Sequence, residues 1–420
     1  MLVMVAIVGA GAVFWRSYDE PAPQAEKTQP AGPPPDVQAR SAEIDRVLIR
    51  RSKAVMARNA AQFVADIDPA DAELKTEQGT LYDNLVQFGF SRLSYHQKRE
   101  QFDQTLVERH GPTTYAVQVV MVYQIKGINR LPVRTLVGYV FVQRPDGKWV
   151  ITDDDDLDRS LPRGSHHEAW DVGPVLVERA PRVLVVVERG QSELASNLLT
   201  EASSAVKVVT RRWPGGWIGA GVVIAVDDEI VRGADYSVER NAEDALAMAT
   251  WVYRTLPGEV TTEGERADSY VVVNPRNRDR LDTRSLAHEF THVAAARYGA
   301  HAPRWLVEGV ATYVEYLPME GEQDLALPQY RAMVRTKYLS KAAALPADAT
   351  FFARSGSSYP LSWLAADYLF TKHGPTEVAT LYQEIAALGF SQNARDRIML
   401  EHVGVTEAGL FRALKTTPDT

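Results

Sequence analysis

Residues 286–315 read LAHEFTHVAAARYGAHAPRWLVEGVATYVE, and the parsing of the whole chain turns on them. His288 and His292 are four positions apart, so on a helix they share one face with Cβ atoms about 5–6 Å apart and can hold one metal ion. Glu289 projects beside them, placed to act as a general base. The helix is credible on its own terms. Leu286, Phe290, Val293 and Ala294 form an apolar stripe, Asp282 or Thr283 can cap the start, and Gly299 is a stop signal. Helical spacing resumes at Trp305, Leu306, Val310 and Val314, with Pro303 near the start. The turn between Gly299 and Pro303 predicts two antiparallel helices, and Gly309 would let two helix backbones approach closely. The chain has no cysteine and 9 histidines, so any metal must be held by imidazole and carboxylate. A catalytic zinc takes three protein ligands. The nearest candidates for the third are His301 and Glu308.

The phrase Trp305-Leu306-Val307-Glu308-Gly309-Val310-Ala311-Thr312-Tyr313, following His288-Glu289-Phe290-Thr291-His292, resembles the gluzincin metallopeptidases, particularly the aminopeptidase N type. The resemblance covers residues 285–317. It implies Zn²⁺ as cofactor, His288, His292 and Glu308 as metal ligands, Glu289 as the base, and a peptide or protein as substrate. Two departures limit it. Fifteen residues separate His292 from Glu308, a shorter interval than in aminopeptidase N and more like bacterial peptidase-like gluzincin domains. The upstream G-x-M-E-N motif that holds a substrate's free amine in that family has no counterpart, so aminopeptidase activity is not implied. The family's oxyanion-stabilising tyrosine lies in a phrase to which Tyr359-Pro360-Leu361-Ser362-Trp363 is similar, which makes Tyr359 the candidate here. Glu315 falls one helical face on from Glu308, beside the candidate site, and which residue orients a metal-bound histidine stays open; His301 is expected to sit on a loop at the rim, and Trp305 and Tyr313 to pack. The strand at 270–273 is expected to pair with an extended substrate, and the loop Arg276–Arg280 to line one end of the cleft.

Working outward, residues 170–420 read as a metallopeptidase-like domain. Short strands are expected at 183–187, 222–226 and 270–273, a helix at 192–206, and a helical half after Pro275. Residues 37–158 read as a separate accessory unit. Ile44, Val47, Leu48 and Val55 recur at helical spacing, and Leu81, Leu85 and Val86 suggest a second helix. Strands follow at 115–125, 133–142 and 148–152, the last after the turn Pro145-Asp146-Gly147. Helices followed by a meander argue for an antiparallel α+β unit, and α+β is the expected class for both domains. The closing phrase YVFVQRPDGKWVITDDDD at 139–156 resembles the cone-like fold of nuclear transport factor-like domains. The acids Asp153–Asp156 and Asp158 lack the alternation and glycine of a calcium loop and read as the solvated lead into a linker at 159–169, with His166-His167 exposed.

Leu2–Trp15 is an uncharged apolar run of 14 residues, short of the roughly 17–25 of a membrane-spanning helix. Residues 1–16 are therefore expected to be a signal peptide or membrane anchor. Pro21, Pro23, Pro30, Pro33, Pro34 and Pro35 make 17–36 a semi-rigid tether. Together they imply an extracytoplasmic protein, membrane-anchored or secreted. A net charge of −8 argues against a nucleic-acid partner. Hydrophobic and charged fractions of 45% and 24% exclude collagen, coiled coil and wholesale disorder. The expected function is zinc-dependent peptide hydrolysis. The alternative is a non-catalytic binding or scaffold protein at the cell surface that keeps zinc for stability.

Overall fold

The computed structural model describes residues 35–161, 168–227, 246–254, 256, 266–319 and 326–416. The apolar start, the tether up to Pro34 and His166-His167 lie outside the described residues. Chain contacts separate a unit Met1–Ala42 from a unit Glu43–Thr420, and apart from residues 35–42 at the start of the first helix everything below lies in the second. Among the described residues, no helix is long and apolar enough to cross a membrane.

Three helices, α1 (Pro35–Met56), α2 (Ala60–Phe63) and α3 (Ala72–Leu85), precede a four-stranded antiparallel meander. Its strands are β1 (Phe90–Gln101), β2 (Tyr115–Ile125), β3 (Val133–Gln143) and β4 (Trp149–Asp153), with α4 (Gln104–His110) between the first two. Strand β1 has no counterpart in the sequence reading. Leu93 and Tyr95 are its only buried residues, so its polar composition hides it.

The acidic run is also different from expectation. Asp153 closes β4, and Asp154 is only 8% exposed, accepting a 2.5 Å bond from Gln78 Nε2. Asp156 pairs with Arg109 and lies 2.8 Å from His110 Nε2. These acids are packed against partners 46 to 76 residues away rather than solvated.

A second sheet has the order β5-β6-β7-β9-β8, from β5 (Val175–Ala180), β6 (Val183–Glu188), β7 (Gly221–Ala225), β8 (Ala247–Tyr253) and β9 (Arg266–Val273). Strands β6, β7 and β9 run parallel, and β5 and β8 flank them antiparallel. Helix α5 (Ser192–Arg212) makes the crossover from β6 to β7. Successive side chains of a strand point to opposite faces. Val183, Val185, Val187, Val223, Val271 and Val273 accordingly join one core with the helices, while Leu184, Val186, Val222, Ile224 and Tyr270 join another with the first sheet. Burial on both faces explains why β6 is a continuous apolar run. Trp170 belongs to the second core, with ring centroids 4.9 Å from Phe88 and from Tyr123.

The remainder is helical: α6 (Thr283–Ala295), α7 (Arg304–Tyr316), α8 (Ala326–Lys337), α9 (Ser355–Leu388), α10 (Gln392–Val403) and α11 (Glu407–Thr416). Helix α9 is interrupted at Gly374, whose φ of 81° is non-helical, just before Pro375. The protein is α+β, as expected. One expectation fails: residues 270–273 lie inside the sheet, with β7 on one side and β8 on the other, so they offer no open edge for a peptide. Strand β8 occupies the edge among the described strands.

Candidate metal centre

Helix α6 starts at a capping box. Ser285 N donates to Asp282 Oδ1 at 2.8 Å, and Asp282 N returns a 2.9 Å bond to Ser285 Oγ. This fixes the first turn. Leu286, Ala287, Phe290 and Ala294 are buried in the core, which leaves His288 and His292 on an adjoining face with ring centroids 4.9 Å apart. Arg284 Nη1 donates to the carbonyls of Glu315 at 2.9 Å and Leu317 at 3.2 Å, tying the start of α6 to the end of α7.

The turn after α6 depends on Gly299. Its φ is 131°, and a Cβ there would lie 2.1 Å from the carbonyl oxygen of Ala386 in α9. Helix α7 then brings Glu308 to the histidines. Gly309 does allow close backbone approach, but the neighbour is α9: an added Cβ would lie 2.5 Å from Ser362 O. Glu308 is therefore held from behind by a helix at glycine distance.

The structure brings three of the sequence candidates together. His288 Nε2 and His292 Nε2 lie 3.3 Å and 3.5 Å from the same oxygen, Glu308 Oε2. One donor atom from each of His288, His292 and Glu308 lies within 4.8 Å of the others. Glu315 Oε2 is 2.9 Å from His288 Nδ1, which assigns the proton to Nδ1 and turns Nε2 toward Glu308. Glu289 Oε2 accepts a 3.0 Å bond from Ala249 N of β8, so the candidate base is anchored to the edge strand. Tyr359 lies in the first turns of α9, half-buried, its ring centroid 6.3 Å from that of His288 and 5.2 Å from that of Phe351.

The electrostatics follow from burial and crowding. Burial alone would lower the His288 pKa, but its bonds to Glu308 and Glu315 outweigh this and hold it well above the ordinary imidazole value. Burial alone would raise Glu308; the two imidazoles outweigh it and hold the carboxyl well below the usual range. For Glu289 burial wins, and its carboxyl is raised despite both imidazoles. The site thus contains a fixed anion among nitrogen donors beside a second carboxyl biased toward taking up a proton.

Other candidates fall elsewhere. His301 donates its backbone N–H to Ala386 O at 3.1 Å, and its ring packs edge-on against Phe390 at 6.2 Å. Arg278 Nη1 is 3.6 Å from Glu188 Oε2. Trp305 is buried, and Tyr313 stacks on Phe370 at 4.2 Å. The contribution that sequence reasoning missed is Ala249, which acts through its backbone N–H, a group that no residue type advertises.

No protein-family model matches the chain, and no curated protein matches it. Among solved structures it is similar to a two-domain M1 zinc metallopeptidase mutant crystallised with L-tryptophan. It is also similar to an M1 zinc metallopeptidase mutant from Deinococcus radiodurans crystallised with a Tyr-Ser-Ala substrate. In both cases the identity is 16% and the TM-score 0.34, over 78% of this chain and 61% of the other. The chain thus spans less than two thirds of the length of the proteins it matches.

Proposed function

We propose that the protein is a zinc-dependent peptidase whose metal is held by His288, His292 and Glu308. The observation that carries this reading is the convergence of three donors beside a half-buried carboxyl that is not itself a donor. The donor set fits zinc. Ligands about 2.0–2.1 Å from a tetrahedral zinc stand about 3.3 Å from one another, and the two imidazole nitrogens stand 3.3 and 3.5 Å from Glu308 Oε2. Three protein ligands leave one position for water or substrate, as at catalytic rather than closed structural sites. Zinc bound there would polarise a carbonyl and bring the pKa of a water to about 7.

The chain's own residues do the rest. Glu289 takes the proton of the attacking water and returns it to the leaving amine, a task that suits a carboxyl raised by burial. The Ala249 N–H holds that carboxylate in one orientation. Glu315 fixes the tautomer of His288. The Tyr359 hydroxyl is the candidate donor to the developing oxyanion. An extended peptide is taken along β8, at the sheet edge, rather than along β9. We assign residues 37–158 to an accessory domain and place the protein outside the cytoplasm on the strength of Leu2–Trp15 and the proline-rich tether.

The alternative, a scaffold that keeps zinc only for stability, is disfavoured by Glu289, since a structural site needs no further carboxyl beside its ligands. Zinc per chain in the full-length protein, measured beside Glu308→Ala, tests the reading. About one zinc, lost or markedly weakened in the variant, is the expected result. A wild type that takes up no zinc under metal-replete conditions would refute it.

A further inference from the structure

Helix α6 leads from the metal centre to a second feature. A shallow open cleft of about 30 Å³ lies at its C-terminal end, among Val293, Ala296, Arg297, Trp217, Asp268 and Arg130. It has room for a small group such as a carboxylate rather than for a whole ligand. Val293 follows Glu289 by four residues, so the cleft continues the helix face that carries the base. Arg130 comes from the connection between β2 and β3, in the first sheet.

The charges in the cleft are not equivalent. Asp268 is committed to the protein: Oδ1 accepts from Ser269 N at 3.0 Å and Oδ2 from Asn129 Nδ2 at 3.3 Å. Asn129 also donates to the Tyr270 hydroxyl at 2.8 Å and accepts from Ile125 N at 2.9 Å, which pins the segment carrying Arg130 to β9. Arg297 is held through Nη2 by Gly215 O and the Tyr298 hydroxyl, and its guanidinium lies 4.7 Å from the Tyr298 ring centre. Arg297, held in place, and Arg130, carried on the pinned segment, therefore border a wall of Trp217, Val293 and Ala296, beside one carboxylate whose acceptors are occupied. Such a cleft selects an anion on an apolar body, and guanidinium favours carboxylate geometry.

We propose that this cleft is a substrate subsite that takes a carboxylate three or four residues from the scissile bond, with Arg130 and Arg297 as its specificity residues. The spacing follows from the helix. Arg297 is eight residues beyond Glu289, six of them along α6 and two in the 3₁₀ turn after it, which is about 13 Å along the axis. An extended peptide covers that in three to four residues. The proposal rests on the peptidase reading above. It also gives the first sheet a part in substrate choice, through Arg130.

The test is hydrolysis of internally quenched peptides by the full zinc-loaded chain. The peptides carry Glu or Gln three or four residues to either side of the scissile bond, each with a free or an amidated C-terminus, which separates a side-chain carboxylate from a terminal one. The acidic member is expected to be cleaved at least about tenfold faster in kcat/KM than its neutral twin. Arg297→Gln and Arg130→Gln should remove that advantage, bringing the acidic peptide to the rate of its neutral twin. Equal turnover of acidic and neutral peptides overturns the subsite and leaves the peptidase reading standing. No turnover of any peptide overturns the peptidase reading instead. The cleft is then judged by fluorescence anisotropy of a labelled acidic peptide: salt-sensitive binding lost in Arg297→Gln supports the anion site, and absent binding, or binding indifferent to the substitution, overturns it.

Discussion

Glu289→Gln separates chemistry from architecture more cleanly than any other change at the site. The amide keeps a carbonyl oxygen that can accept the 3.0 Å bond from Ala249 N, so the link to β8 survives. It removes no donor from the set of His288, His292 and Glu308, so zinc should stay at one per chain. It abolishes proton uptake, and general base catalysis is worth about 10²–10⁴-fold, or about 3–5 kcal/mol in the barrier. The stability effect has a definite sign. Burial raises the Glu289 carboxyl, so its ionised form is unfavourable where it sits, and a neutral isostere relieves that. Tm without metal should be equal to or above wild type at neutral pH, while kcat falls by at least two orders of magnitude. The assay is kcat on a quenched peptide beside zinc content and calorimetry on the same preparation. Turnover within a few-fold of wild type would refute Glu289 as the base. Loss of zinc would refute the assignment of Glu289 as a non-ligand.

Three further outcomes are expected. Glu315→Ala removes the acceptor 2.9 Å from His288 Nδ1 and should weaken zinc about 10–100-fold in chelator competition; unchanged affinity would remove Glu315 from the site. Gly309→Ala places a Cβ 2.5 Å from Ser362 O and should cost about 1–3 kcal/mol in chemical denaturation, whereas Gly356→Ala, with nothing within 4 Å, should be neutral or slightly stabilising. Equal effects would mean that α7 and α9 are not in glycine contact. Asp268 is raised by burial from 3.8 to about 6, so its folded form holds a proton that the unfolded chain releases between those values. Wild-type stability should therefore fall, through this group, as pH rises from about 4 through 6, by up to about 3 kcal/mol. Asp268→Asn should gain on wild type across that window when Tm is compared pH by pH, and a constant difference from pH 4 to 8 would show that the group does not titrate there.

The parts of the fold legible in the sequence are those set by short-range geometry. The spacing of His288, Glu289 and His292 places them on α6 without reference to the rest of the chain, because a helix repeats every 3.6 residues. Trp305, Leu306, Val310 and Val314 are all buried, which is why the second helix and the facing of Glu308 could be anticipated. What was hidden depends on partners distant in sequence. Asp154 and Asp156 look like a solvated charge run until Gln78, Arg109 and His110 arrive. Strand β1 shows two buried residues in 12 because it is the edge of its sheet, with only β2 beside it among the described strands.

The same distinction decides where the proposed substrate would lie. A peptide-binding edge is a property of strand order, and strand order is not local. Residues 270–273 have the composition of a good strand and sit just ahead of the metal helix, yet their burial on both sides follows from β8 adding outside them. Strand β8 in turn contributes one hydrogen bond that matters, from Ala249 N to Glu289. That bond couples the orientation of the candidate base to the integrity of the sheet edge. Ala249→Pro, which removes this donor, should then lower turnover while leaving the candidate zinc ligands on α6 and α7 intact. Activity loss without zinc loss is the signature of that coupling, and simultaneous loss of both would mean that β8 supports the ligand helices rather than the base.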